Sequence, residues 1–180
     1  VGGKLLWEAE KGGRDGAGCF GGISIAAGAA GDLLVTWGAG PGGEVPWGFA
    51  TLKYDSNGNL LWKATYGSEA GGDDVPRGIA VDSAGNAYVT GGVQDQEGAI
   101  NLSYATVKYD PAGNPLWTEK FLEAAPFTTV AIAVDSQGNA YVAGTTYSDA
   151  TGADFITIKY ASAPSSFIRG DCNGDGEISG

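Results

Sequence analysis

Apolar residues fall in short blocks separated by Asp, Asn and Gly, and no useful length of chain shows a helical period. The block Gly78-Ile-Ala-Val-Asp-Ser-Ala-Gly-Asn-Ala-Tyr-Val-Thr-Gly91 returns as Ala131-Ile-Ala-Val-Asp-Ser-Gln-Gly-Asn-Ala-Tyr-Val-Ala-Gly144. A second block, Ala50-Thr-Leu-Lys-Tyr-Asp-Ser-Asn-Gly-Asn-Leu-Leu-Trp62, returns as Ala105-Thr-Val-Lys-Tyr-Asp-Pro-Ala-Gly-Asn-Pro-Leu-Trp117. Worn copies lie at Ile23 to Gly38, with Gly31-Asp32 in place of Gly85-Asn86, at Thr157-Ile-Lys-Tyr160 and at Leu5-Leu-Trp7. Each block predicts two strands around a tight turn. The turn reads Asp-x-x-Gly-Asn at Asp55, Asp82, Asp110 and Asp135. Its aspartate accepts hydrogen bonds from the turn backbone, and its glycine supplies the positive φ that closes a hairpin through a bulge. The flanks are rich in Val, Ile, Tyr, Thr and Trp, which suit strands.

Two hairpins in every fifty-odd residues make a four-stranded antiparallel sheet that must stack on its copies, the sequence signature of a β-propeller blade. The fold class expected is therefore all-β, a propeller fragment of about three four-stranded blades. A partial blade falls at 1–10, with an orphan last strand from Leu5 to Glu10; blades follow at 22–66 and 78–121. A further blade, 129–160, lacks its last strand. Stacking buries both faces of a sheet, which accounts for consecutive apolar positions such as Ile79-Ala-Val81. This Ile-Ala-Val strand is placed nearest the axis, where small neighbours suit the crowding. Trp62 and Trp117 fall on outer strands, where blades fan apart. They are read as packing between blades, not as a stacking platform for a sugar or cofactor, because they recur in register with the fold. Three blades do not close a ring, and propellers have roughly four to eight. Either further copies precede Val1 or two chains share a ring, and the Leu5 strand is of the type that fills the gap in the last blade.

At these residues the chain resembles the seven-bladed β-propeller, or SBBP, repeat family over roughly residues 5 to 160, with a strand layout similar to that of NHL-type propellers. The resemblance implies an extracellular or cell-surface setting in bacteria and assigns no activity.

Beyond a linker at 162–169, residues 170–180 read Gly-Asp-Cys-Asn-Gly-Asp-Gly-Glu-Ile-Ser-Gly. Asp171, Asn173 and Asp175 stand at alternate positions, with Gly176 at the sharp bend. The backbone carbonyl of Glu177 and the side chain of Ser179 would add further oxygens, and calcium needs six to eight. This segment resembles the first half of a dockerin or EF-hand repeat. The bidentate acid expected at the twelfth loop position falls past Gly180, so weak or no calcium binding is expected of these residues alone. The resemblance implies a cohesin-like or cell-surface protein partner.

The chain has 180 residues, 32 of them glycine, with no histidine or methionine and a net charge of −11. The charge argues against nucleic acid or an anionic membrane surface as partner, and no apolar run is long enough to span a bilayer. The missing methionine marks a mature product or a fragment. Cys19 and Cys172 are too few for a disulfide scaffold and fit no zinc spacing. A cysteine nucleophile would need a base, and histidine is absent.

The function expected is a non-catalytic binding or scaffold module with a calcium-dependent docking segment. Short turns lie at one end of the blades and long connections at the other, where binding loops sit. Trp47, Asp73, Asp74, Asp95, Tyr147 and Asp149 are the candidate ligand residues there, suited to a glycan or peptide; each also reads as an ordinary solvated loop residue. The alternative is the propeller part of a secreted glycoside hydrolase or other polysaccharide-acting enzyme, whose catalytic residues lie outside this stretch or on the long-loop face. The turn from Asp55 to Trp62 is similar to quinoprotein and sialidase propeller motifs, but departs from both in spacing and, for the quinoproteins, in lacking the threonine.

Overall fold

A computed structural model describes residues 3–9, 19–39, 48–67, 74–94, 103–121, 131–148 and 152–162. Eleven strands run in chain order: β1 (Cys19–Ala27), β2 (Leu33–Ala39), β3 (Gly48–Tyr54), β4 (Leu60–Tyr66), β5 (Val75–Val81), β6 (Ala87–Val93), β7 (Ser103–Tyr109), β8 (Pro115–Phe121), β9 (Ala131–Val134), β10 (Ala140–Ser148) and β11 (Gly152–Tyr160). No helix occurs among the described residues. The strands form three antiparallel meanders, β1-β2-β3-β4, β5-β6-β7-β8 and β9-β10-β11. The innermost strands β1, β5 and β9 lie against one another, which stacks the sheets like blades around an axis. The stack is an open arc of three blades and not a closed ring.

The Ile-Ala-Val segments at 79–81 and 132–134 belong to β5 and β9, on the inner side of the arc. Crowding there is visible at Gly78, where a Cβ would lie 3.0 Å from Ile132 Cγ2. The first two sheets reach beyond the sequence-based bounds, since β1 begins at Cys19 and β5 at Val75.

We call the face of a sheet that looks toward the next sheet in the chain its front, and the other its back. At the first junction, Leu34, Phe49, Trp62 and Tyr66 on the front of sheet one meet Ile79, Val89, Val107 and Tyr109 on the back of sheet two. At the second, Tyr104 and Phe121 meet Ile132, Val142, Ile156, Ile158 and Tyr160. All seven positions of β6 and of β7 are buried, as expected for strands covered on both sides. Buried threonines bridge the middle strands. The Thr90 hydroxyl donates to the Ala105 carbonyl at 3.1 Å and sits 3.0 Å from the Thr106 hydroxyl, and Thr36 and Thr51 repeat the arrangement.

The residues Leu5 to Ala9 are not in a sheet ladder. They lie on the back of sheet one, with the Trp7 ring 6.1 Å from that of Tyr54 and against Gly58. Trp62 takes the same place on Tyr109 and Gly113, and Trp117 packs on Tyr160. The orphan segment thus occupies the position of a preceding blade's last strand. It does not pair with β11, which is the edge of the third sheet among the described residues.

Candidate functional site

The turns explain why the repeat keeps its residues. In each Asp-x-x-Gly-Asn turn the glycine amide donates to the aspartate carbonyl, and the aspartate amide to the asparagine carbonyl. At Asp82, Oδ1 accepts from the amides of Ala84 and Asn86, while Oδ2 accepts from Asn86 Nδ2 and the Tyr88 hydroxyl. Gly85 has φ 84°, a left-handed conformation that favours glycine. Asp55, Asp110 and Asp135 make the same backbone and asparagine bonds, and Asp135 also holds the Tyr141 hydroxyl.

Tyr88 ties two sheets together. Its hydroxyl lies 3.0 Å from its own Asp82 and 2.8 Å from the carbonyl of Gly138 in the next sheet's turn. Burial, followed by the bond to Asp82 and the carboxylates of Asp82 and Asp135, pushes its ionisation well above the usual phenol range. The Lys108 ammonium sits 4.9 Å above the ring and donates to the carbonyl of Ser162 at 2.7 Å. In sheet one Leu34 stands where Tyr88 does, and the turn is reversed. Gly28 replaces the leading aspartate and Asp32 the trailing asparagine, so the Asp32 carboxylate fills the space beside Gly28 and pairs with Lys53 at 2.7 Å.

These bonds hold the turn carboxylates low. Asparagine donation is the largest influence at Asp55, Asp110 and Asp135, the last lying at about 2; at Asp82, burial pulls upward but is outweighed by Asn86, Tyr88 and Lys108. A carboxyl depressed in the folded state adds stability above its unfolded value near 3.8, and that stability is lost as pH falls through the folded value. Stability is therefore expected to hold from pH 7 to about 4 and to drop between about 4 and 2. Urea midpoints measured across that range should show the drop, and Asp135→Asn should make it shallower. Equal slopes in variant and parent would show that Asp135 is not among the groups responsible.

The aromatic stack continues the theme. Trp62 Nε1 donates to the Pro111 carbonyl at 3.0 Å. Trp117 Nε1 is buried without a partner among the described residues; Ala161 stands where Asp110 begins the equivalent turn, so the leading aspartate of that turn is missing from the third repeat's sequence.

At the long-connection end, Asp74 is 2 % exposed and accepts the Gln94 amide at 2.8 Å. It thus clasps the start of β5 to the end of β6 from inside the protein. Tyr147 falls within β10. Trp47, Asp73, Asp95 and Asp149 lie outside the described residues, as do the calcium-loop positions Asp171, Asn173, Asp175, Glu177 and Ser179. The back of sheet one carries an apolar groove of about 240 Å³ lined by Trp7, Leu33, Val35, Trp37, Leu52 and Tyr54, among others. Sequence reasoning missed it, although the alternation Leu33, Val35, Trp37 beside a worn turn was its trace. No helix among the described residues is long and apolar enough to cross a membrane.

Stacked antiparallel meanders of four, four and three strands, with one turn repeated within them, are the architecture of a β-propeller fragment. The sequence model of a family described as Beta-propeller repeat, SBBP, matches at residues 63–91 and 128–149, two stretches that contain the Asp82 and Asp135 turns. An uncharacterized WD repeat-containing protein of Acanthamoeba polyphaga mimivirus is 35% identical over 94 residues, 50% of this chain and 6% of that protein. The chain thus spans a small part of that relative's length.

Proposed function

We propose that the chain is a non-catalytic binding or scaffold module, displaying its long connections from a rigid stack of repeats at an extracellular or cell-surface site. The observation that carries this reading is where the repeated polar residues go. Asp55, Asp82, Asp110 and Asp135 have their carboxylate oxygens occupied by turn amides and asparagines, and Asp82 and Asp135 also by tyrosines. The motif therefore builds the scaffold, and recognition falls to the non-repeating connections, as is usual for loops on a rigid frame. An acidic, aromatic set at the long-connection end, Trp47, Asp73, Asp95, Tyr147 and Asp149, suits a glycan or a basic peptide. The segment with Asp171, Asn173 and Asp175 supplies calcium-dependent anchoring to a protein partner in this reading.

The full chain is expected to be retained on a glycan or peptide array. Replacing residues 68–73 and 95–102 by Gly-Ser linkers of equal length should abolish retention while leaving the β-rich circular dichroism spectrum intact. Retention unchanged by the replacements would remove these two connections, with Asp73 and Asp95, as the recognising surface. Retention that survives them but vanishes with chelator would shift recognition to the calcium segment.

A further inference from the structure

The two junctions follow one rule of shape. On each front face the third strand presents an aromatic knob, Phe49 or Tyr104, and the next sheet receives it at a glycine. Phe49 is fully buried, and its Cζ would lie 2.9 Å from a Cβ placed on Gly91, a position that the Val75 carbonyl and Pro76 of its own sheet also crowd. Tyr104 is fully buried, and its Oη would lie 2.5 Å from a Cβ on Gly144. The hydroxyl follows from the receiving strand. Tyr104 donates to the Thr145 carbonyl and accepts the Thr145 amide, beyond the Ala140–Ala143 stretch that β9 pairs. At the first junction the equivalent Gly92 is already paired with Val75, and the knob is a phenylalanine.

The rule extends to both ends of the arc with opposite results. Phe155 stands in the knob position of sheet three, opposite Thr145 as Tyr104 stands opposite Gly92, and it is 88% exposed. Around it two features of the preceding front face recur, although the sheet has no fourth strand among the described residues. Tyr141 bonds Asp135 as Tyr88 bonds Asp82, and Lys159 sits 5.2 Å above the Tyr141 ring as Lys108 sits above Tyr88. At the other end, Trp37 stands in the socket position of sheet one, opposite Ala50 as Gly91 stands opposite Ala105. An indole there occupies the volume that a glycine leaves to the knob, and filling a packed contact twice is unfavourable.

We propose that the front of sheet three is a receiving face for one further sheet of this repeat, bearing glycine opposite Phe155, and that Trp37 bars the chain's own first sheet from that role. The partner is thus a repeat of defined chemistry: a glycine socket on its second strand and a turn carbonyl within reach of Tyr141, as Gly138 is of Tyr88. A second copy of this chain is excluded as the partner by one side chain.

Opening the socket tests this directly. The parent chain is expected to sediment as a monomer of 18.2 kDa. Trp37→Gly should self-associate. The double variant Trp37→Gly with Phe155→Ala, which has a socket but no knob, should be monomeric alone and form a one-to-one complex with the parent, doubling the sedimenting mass. Trp37→Ala provides a milder opening if the glycine variant loses its near-ultraviolet dichroism. Folded socket variants that stay monomeric with the parent would overturn the proposal. So would a parent dimer that Phe155→Ala dissolves, because Trp37 would then not bar a second copy, and so would a complex that persists when Phe155 is removed from both partners.

Discussion

Replacing Asp32 by asparagine is expected to lower folding stability by about 3 kcal/mol, the low end of what breaking a buried ion pair costs. The side chains of Lys53 and Asp32 are only 7% and 11% exposed and lie 2.7 Å apart, so the change leaves an ammonium facing the first junction without its counter-charge. The other sheets indicate the remedy. Lys108, which corresponds to Lys53, sits near the carboxylate of Asp82, at the leading position of its turn. Adding Gly28→Asp to the Asp32→Asn background rebuilds the Asp-x-x-Gly-Asn order, and should recover most of the loss. Denaturant unfolding of the single and double variants checks it. A double variant no more stable than Asp32→Asn alone would show that the carboxylate cannot act from the leading position in this sheet.

Gly144→Val should destabilise the second junction by about 2–4 kcal/mol, combining overpacking with the loss of hydrogen bonds. A Cβ at this position meets the oxygen, Cζ and Cε2 of Tyr104 at 2.5, 2.7 and 2.9 Å, so the whole ring must withdraw, and its two bonds to Thr145 go with it. The effect should not add to that of Tyr104→Ala, because the truncated ring leaves the valine room. Two losses that sum in a double-mutant cycle would mean that Gly144 and Tyr104 do not share one contact. A difference between Trp117 and Trp62 emission would locate the damage, since Trp117 packs on Tyr160 in the affected junction.

The turns were legible in the chain because their chemistry is local. Aspartate, glycine and asparagine within five residues satisfy one another without help from afar, and all four predicted turns close as expected. The placement of Trp62 and Trp117 between sheets followed from their register with those turns, and both pack on tyrosines of the next sheet. Asp74 shows where this reasoning stops. An aspartate beside Asp73 in a glycine-rich connection reads as solvated, yet it is buried against the Gln94 amide, a partner twenty positions away. The first turn shows the same limit: Gly28 and Asp32 read as erosion of the motif, whereas in space the carboxylate has moved to the other end of the turn and kept its lysine.

Hairpin order and the need to stack were settled by residue order alone, because they depend on neighbours within a few positions and on alternation along a strand; that Leu5 to Ala9 pair with no strand was not. Which glycine is a socket, which aromatic is its knob, and which end of the arc is open could be decided only once separate sheets lay face to face. Gly144 is met by Tyr104 of another blade, some forty positions away in sequence, whereas Gly91 is crowded by its own blade as well as by Phe49, and no local pattern separates the two.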